Sequence, residues 1–582
     1  MTDLSRSGLG EAASYQGLPP ISALYVAVFE KTIGYSIAYQ RSTPGLQLDG
    51  VEYKSLCSGL HHVQSDLVYF VHDEYAGVSA FVQGEAAEEH RNANFAAVGV
   101  LVPLSYGRLG RSWLHAKSLR ELAQLAVHDL GDTSQLDAYW ESNRVNDERG
   151  HEEDESVSKQ SENVGRKSRA FSDAAALGKD SRDLSEDHPA LSLASHLETF
   201  GPLLFPLYRA ALLRKRILIL TQTPVRQACE LVYNLSVLSK IPSQSVEAFP
   251  LDEAALTPAR PLFNIGVHDI DFLTKTYKRR EGSEDEVQLQ ESYIACSTDE
   301  ILATKQNLYD ILVELPPPEK DGGRKEWPKM RSAAGESIKA TQRDLRRFQA
   351  LEKELRRITR ATAGSESGEG DSDGESDHDG DSTPLIQSVR PVWARDDDTA
   401  SLADEKNLVE PTTWTAMIQE SFLWWASAGE RDTWVEEETS QDLALLGDLP
   451  MTYNMERDSA RPQSISEPGT EVGSSSADRR TGSKRDNQAK ALTLIAFIHR
   501  LTALTLECMA DMAESAGSEG DGSTDEEGDR AIGLESDDIR HMGLDVWSKA
   551  DTDFVRELFA LYFRRETEVR GQGVECCGIK IC

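Results

Sequence analysis

Five polar residues capable of binding chemistry sit inside a largely apolar stretch: Ser55, Ser58, His61, Gln64 and Asp66. They belong to LQLDGVEYKSLCSGLHHVQSDLVYFVHDEYAGVSAFV, residues 46–82, in which 50–62 is polar and punctuated by glycine. The motifs that turn such side chains into catalysts are missing. No phosphate-cradling G-x-x-x-x-G-K-[ST] occurs, and no G-x-G-x-x-G follows a strand-like run. G-x-S-x-G, HExxH and the kinase signature set are also absent. Asp and Glu concentrate in tracts, where an acid–base pair cannot be held in place. Covalent catalysis, a bound nucleotide, a metal and a cofactor are therefore not expected. What remains for the five residues is recognition, or the capping of turns.

Presenting them rigidly requires a sheet. Runs 66–71 and 77–82 read as strands joined by a short turn at 72–76. Upstream, 24–29 and 34–40 are two more, with Tyr35, Ile37 and Tyr39 in the period-two pattern of a half-buried strand. Run 95–102 is apolar nearly throughout, as a central strand buried on both faces would be. A helix over 113–130 follows, with Leu119, Leu122, Ala123, Ala126 and Leu130 on one stripe. Strand, strand, crossover, three strands and helix is a longin-like α+β layout, with a five-stranded antiparallel sheet. Beyond a polar stretch at 142–195, the spacing predicts a helix ending near Arg214 to Arg216 and then a strand at 217–221. A second helix follows Pro224, and strands at 262–267 and 293–298 lead to 301–315. Cations at a helix C-terminus suit its dipole. Alternating helices and strands of this kind make a mostly parallel α/β unit.

Length and charge distribution set the rest. The chain has 582 residues, 39% of them apolar, and a net charge of −36. That suggests roughly three or four units separated by disordered segments. Residues 364–383 hold eight acids and 514–529 hold seven, both without Lys or Arg. Such acid excludes general nucleic-acid binding, which needs clustered cations. Ser372, Ser376, Ser518 and Ser523 each have an acid three residues on, as acidophilic kinases prefer. Residues 324–360 are the reverse, with twelve Lys or Arg against five acids and Ile338, Leu345, Phe348, Leu355 and Ile358 at helical spacing. A basic amphipathic helix serves for internal docking, for partner binding or for contact with an anionic membrane. Helices are further expected at 414–428, rich in Trp, and at 489–514 and 551–566. The seven cysteines have no zinc spacing and suggest no disulfide framework, which fits a reducing cytosol. The N-terminus does not read as a signal peptide, and 18 apolar residues nowhere run together. The expected location is cytoplasmic, with peripheral attachment to intracellular membranes open.

Three stretches carry a family likeness. DGVEYKSLCSGLHHVQSDLVYF (49–70), FGPLLFPLYRAALLRKRILIL (200–220), and PLFNIGVHDI (261–270) with YIACSTDEILATKQNLYDILVEL (293–315) resemble the LCHN-like branch of DENN-domain proteins. The long insertions at 142–195 and 316–400 resemble fungal members. The resemblance implies a leader at 1–20, a longin-like lobe at 21–141, a disordered linker at 142–195 and a central α/β lobe at 196–316. A basic amphipathic helix at 317–362 and an acidic linker at 363–400 would follow. A helical lobe at 401–570, with disordered insertions at 456–488 and 515–535, and a tail at 571–582 complete the multidomain α+β and α/β organisation. It also implies a module that binds a Rab-type small GTPase between its lobes and promotes GDP release in membrane trafficking. The interface residues would be Ser55, Ser58, His61, Gln64 and Asp66 with Tyr293, Asp299, Lys305, Tyr309 and Asp310. A scaffold or tether that binds without exchange, and a longin-type adaptor subunit, are the alternatives. The sequence specifies no oligomeric state.

Overall fold

The computed structural model describes residues 17–30, 33–84, 95–145, 184–252, 255–277, 292–317, 325–364, 408–411, 430–447, 476–518, 531–569, 574–576 and 579–581. The N-terminal strands are β1 (Ala23–Glu30), β2 (Gly34–Ser42), β3 (Ser65–His72), β4 (Tyr75–Gln83) and β5 (Phe95–Pro103). They pair antiparallel in the order β3-β4-β5-β1-β2. β5 is central and buried along nearly its whole length, as its unbroken apolar run requires. Gly99 on β5 faces Tyr25 on β1, and a Cβ there would meet the Tyr25 phenol oxygen at 2.1 Å. The missing side chain lets a buried tyrosine cross the strand beside it.

The crossover between β2 and β3 is shorter in loop than expected. It contains the helix α1 (Val51–Ser55) and a 3-10 turn at Leu60–His62. α2 (Ala116–His128) lays Leu119, Leu122, Ala123 and Ala126 on β4 and β5. The helix expected at 113–130 is shorter, because 3-10 turns occupy Arg108–His115 and Leu130 lies past the end, 45% exposed. α3 (Ser134–Asn143) follows.

The second half comprises α4 (Leu193–Phe200), α5 (Leu204–Leu212), β6 (Ile217–Leu220), α6 (Arg226–Leu238), β7 (Arg260–Asn264), α7 (Ile270–Thr276), β8 (Tyr293–Ser297) and β9 (Ile311–Glu314). β6, β7, β8 and β9 are parallel, in the order β9-β6-β8-β7. α5 stops at Leu212; Arg214 just beyond it donates to the last-turn carbonyl of Ala211 (3.5 Å), as the helix dipole favours, whereas Arg216 turns away. Both are buried: Arg214 donates to the carbonyls of Ser239 (2.9 Å) and Ala255 (3.2 Å), and Arg216 clasps Asp310. Instead of two separate sheets, the strands of both halves form one sheet of ten strands among the described residues. A single bridge, Phe70 to Phe263, joins β3 antiparallel to β7, and α6 lies across the seam against β3, β7 and β8.

The remaining chain packs onto this sheet. β10 (Lys329–Ser332) adds an antiparallel edge next to β9, so the basic segment begins as strand; its helix, α8 (Gln342–Gly364), starts at Gln342 rather than at position 317. Phe348, Leu351, Leu355 and Ile358 of α8 are buried in the common core. That apolar face is spent inside the protein and is not free to enter a membrane. α9 (Glu430–Leu446), α10 (Ser476–Ser518) and α11 (Lys549–Tyr562) complete the helical layer. Residues 476–488 belong to α10 rather than to an insertion, and Ile532–Leu534 pairs with Thr567–Val569. Within α10, Ser483–Ala516 is long and apolar enough to cross a membrane, but 67% of its most apolar window is buried by neighbouring helices. It is a core helix. The Trp-rich helix expected at 414–428, and Ser372, Ser376 and Ser523, lie outside the described residues; Ser518 is the last residue of α10, and its side chain also lies outside them.

A buried charge cluster fastens these helices to α5. Arg209 pairs with Asp344 on α8 (2.5 Å) and with Asp551 on α11 (3.2 Å). Arg343 and Arg347 of α8 pair with Asp442 on α9 at 2.6 and 3.1 Å. Although burial pushes the Asp344 carboxyl up, Arg209 holds it below its ordinary range. Burial carries the Asp551 carboxyl up to about 7, against the pull of Arg209.

Candidate functional site

Parallel strands end at one edge of the sheet, and that is where the crossover lies. Because β3 runs antiparallel to β7, its first residues stand beyond the carboxyl ends of β7 and β8. Crevices at such ends are the usual binding places of α/β sheets. α1 is stapled there: the Lys54 carbonyl accepts from Asn264 (3.0 Å), and Lys54 Nζ pairs with Asp269 (3.1 Å). Gly59 turns the chain with φ of +88°, where a side chain would be strained, and its carbonyl accepts from Thr223 Oγ1 (2.9 Å).

Asp299 is the hub of this edge. Its Oδ1 accepts from Ser58 Oγ at 2.6 Å and its Oδ2 from the Val267 amide at 3.0 Å. One carboxylate thus holds the crossover, the loop after β7 and the loop after β8 together. Ser58, His61, Gln64 and Lys305 are exposed, and the His61 and His62 rings lie 3.9 Å apart. Beside Asp299 stand apolar side chains that the sequence did not single out. Ile301 is 53% and Val267 41% exposed, and the half-exposed Tyr53 stacks on His268 at 4.0 Å. These residues lie in the stretches that carry the family likeness, but nothing in the sequence joins them into one group, because Tyr53 and Val267 belong to different halves of the sheet and lie far apart along the chain.

Five of the ten expected interface residues are structural. Ser55 is fully buried; its Oγ donates to the Val51 carbonyl (2.8 Å) and shares a 2.7 Å hydrogen bond with Tyr25. Asp66 is buried at the seam and accepts from the amides of Val225 (2.6 Å), Leu67 (2.7 Å) and Arg226 (3.3 Å). It caps α6 from a different strand, placing an anion at a helix N-terminus. Burial raises its carboxyl to about 6, even though the three amides favour the ionised form. Tyr293, Tyr309 and Asp310 stand at the opposite edge. Tyr293 is buried and donates to the Leu308 carbonyl, and Tyr309 donates to the Ala303 carbonyl, each at 2.7 Å. Asp310 receives Arg216; although burial raises its carboxyl, those hydrogen bonds keep it below the usual carboxylate range. The reason is topological: 298–310 is the crossover between parallel strands, and a crossover must run from one edge of the sheet to the other. Of the ten, Ser58, His61, Gln64 and Lys305 are exposed, and Asp299 and Asp310 are half-buried.

No group of three or more His, Cys, Asp or Glu that could hold a metal occurs among the described residues. A cavity of about 190 Å³, lined by Ile37, Gln40, Asp49 and Glu52 among others, opens between β2 and α1. It is smaller than the roughly 300–1,000 Å³ of small-molecule sites.

Comparison with known proteins finds two family models that match the chain. A family model described as DENN domain-containing protein 11 matches residues 24–323. One described as Domain of unknown function (DUF4484) matches 409–531 and 518–582. DENN domain-containing protein 11 of Xenopus laevis is 30% identical over 295 residues, covering 50% of this chain and 59% of the relative. Its Danio rerio counterpart is 29% identical over 295 residues, covering 50% and 53%. The uncharacterized protein ANR2 of Saccharomyces cerevisiae is 22% identical over 603 aligned positions, covering 96% of this chain and 94% of its own length. The chain thus spans less than two thirds of the vertebrate relatives, and its helical last third is matched in the Saccharomyces cerevisiae protein. With half of its length under one family model, the chain belongs to the DENN domain-containing protein 11 family.

Proposed function

We propose that this protein binds a Rab-type small GTPase across the sheet edge centred on Asp299 and accelerates release of its GDP. The observation that carries the reading is the Ser58 to Asp299 hydrogen bond, which brings exposed polar and apolar residues of both halves of the sheet onto one surface. Nucleotide exchange makes and breaks no covalent bond, in keeping with the lack of catalytic motifs. A thousandfold acceleration requires about 4 kcal/mol of preferential stabilisation of the release transition state. Rigid polar groups ringed by apolar side chains are suited to supply it. The DENN resemblance supports the same activity, a cytoplasmic location and a role in membrane trafficking. Membrane contact, if made, uses charged surface rather than the apolar face of α8, which the core consumes.

Release of a fluorescent GDP analogue, measured against a panel of Rab GTPases with the full chain, tests this. Accelerated release from one member, lost in an Ile301→Asp variant, supports the reading. Binding without acceleration would make the protein a scaffold, and binding to no member would refute both.

A further inference from the structure

α8 has a third face that neither the core nor the charge cluster uses. Lys353, Arg356, Arg357 and Arg360 recur at i, i+3, i+4 and i+7, which places them on one outward stripe. Arg356 and Arg357 expose 70% and 62% of their side chains. Each pairs along the helix, Arg356 with Glu352 at 2.6 Å and Arg357 with the largely buried Glu354 at 3.6 Å; the exposed Arg356 pair is worth little and leaves that cation open to other anions. Thr359 donates to Asp486 at 3.3 Å, so Lys484 and Arg485 of α10 stand at the same end. This is a cationic patch on a chain of net charge −36.

The path of the chain says what lies beside it. The chain leaves α8 at Gly364 and is next held at Leu408 to Glu410. There the Ala340 amide donates to the Leu408 carbonyl (2.9 Å) and the Glu410 amide to the Ala340 carbonyl (2.8 Å). Ala340 precedes α8, so exit and return lie at opposite ends of a helix about 33 Å long. The intervening segment, 365–407, must travel back over that distance. A segment of this length can reach well beyond that distance, at about 3.3–3.6 Å per residue when extended, and both of its ends are fixed to α8 or just before it, so α8 lies within its reach. Its first part, 366–381, carries eight carboxylates and no Lys or Arg. It begins six residues after Arg360. We propose that residues 366–381 dock along the Lys353, Arg356, Arg357 and Arg360 stripe, an intramolecular contact of opposite charges that occupies this face. Tethering supplies a high local concentration, and the contact is screened by salt.

Carbodiimide cross-linking of the full-length protein reads this out directly, since it condenses a lysine amine with a nearby carboxylate, the water lost being taken up by the carbodiimide. At low ionic strength, mass spectrometry should find 366–381 linked mainly to Lys353 and Lys484. In the R356Q/R357Q/R360Q variant, which changes only exposed side chains, those links should fall at least fivefold, and 1 M NaCl should do the same to the unaltered chain. Links undiminished in the variant would mean that tethering alone brings the segments together, and would overturn the proposal. So would links spread evenly over lysines elsewhere, such as Lys215 and Lys305. If phosphatidylserine vesicles abolish the links at low salt, the face belongs to a lipid surface instead; persistence of the links in their presence is the expected result.

Discussion

Replacing Asp66 by alanine separates a residue that holds the fold from one that holds a partner. Its carboxylate accepts from the amides of Leu67, Val225 and Arg226, two of them at the N-terminus of α6 and all at the seam. Loss of an N-cap side chain costs about 0.5–2 kcal/mol, and each buried amide left without an acceptor about 1–3 kcal/mol. Relief of the buried charge offsets part of that, so a net loss of about 2–4 kcal/mol is expected. Denaturant unfolding, followed by tryptophan fluorescence, would measure it. The carboxyl also gives the loss a pH signature. Its native value of about 6 lies above the ordinary 3.8, so the folded state holds the proton more tightly than the unfolded chain. The carboxyl's contribution to stability is therefore full below about pH 4 and declines as pH rises through 6. An Asp66→Asn protein lacks that decline, and the difference between it and the native protein should narrow over this window. GTPase affinity of the folded fraction should stay within twofold. A variant that kept the native unfolding midpoint and lost tenfold in binding would show that Asp66 is an interface residue and that the capping argument is wrong.

Other perturbations reach different parts of the molecule. Asp344→Asn leaves the buried Arg209 with only Asp551, a carboxyl raised to about 7, and should cost about 3 kcal/mol, whereas Asp551→Asn should cost about 1 kcal/mol at neutral pH; thermal unfolding compares the two. Ile301→Asp and Val267→Asp should each weaken GTPase binding about tenfold, the worth of burying the rest of one aliphatic side chain, with an unchanged unfolding midpoint. Gly99→Ala puts a methyl group 2.1 Å from the Tyr25 oxygen and should destabilise by about 1–3 kcal/mol; in the Tyr25→Phe background the penalty should remain, because the ring carbon is only 2.3 Å away.

Local elements were legible because their signals are local. The apolar run of β5 and the stripe of Leu119, Leu122, Ala123 and Ala126 state their burial within a dozen residues. Relations between distant segments were not. Ser55 reads as a polar loop residue, and only the approach of Tyr25 past Gly99 makes it part of the core. Tyr309 and Asp310 follow Asp299 closely in the chain, yet the crossover carries them to the far edge of the sheet. The arginines of α8 read as a charged surface, because the carboxylate that buries Arg347, Asp442, comes from a helix much later in the sequence. Spacing along one helix shows which residues share a face, but not which of those faces another segment will cover.

The position of Arg209 also has a consequence for how the protein is made. Its two carboxylates, Asp344 and Asp551, are synthesised long after it, and Tyr208 awaits Thr502 for its buried hydrogen bond. At a ribosomal rate of about 5–20 residues per second, α5 emerges roughly 20–70 s before Asp551 can neutralise its side of the cation. During that interval Phe205, Tyr208 and Arg209 form a half-built surface that a chaperone can hold and a protease can find. A nascent chain interrupted just before Asp551 would remain in that condition, although its ten-strand sheet is already fully encoded. Damage to α11, distant from α5 along the chain, would therefore be felt at the centre of the molecule.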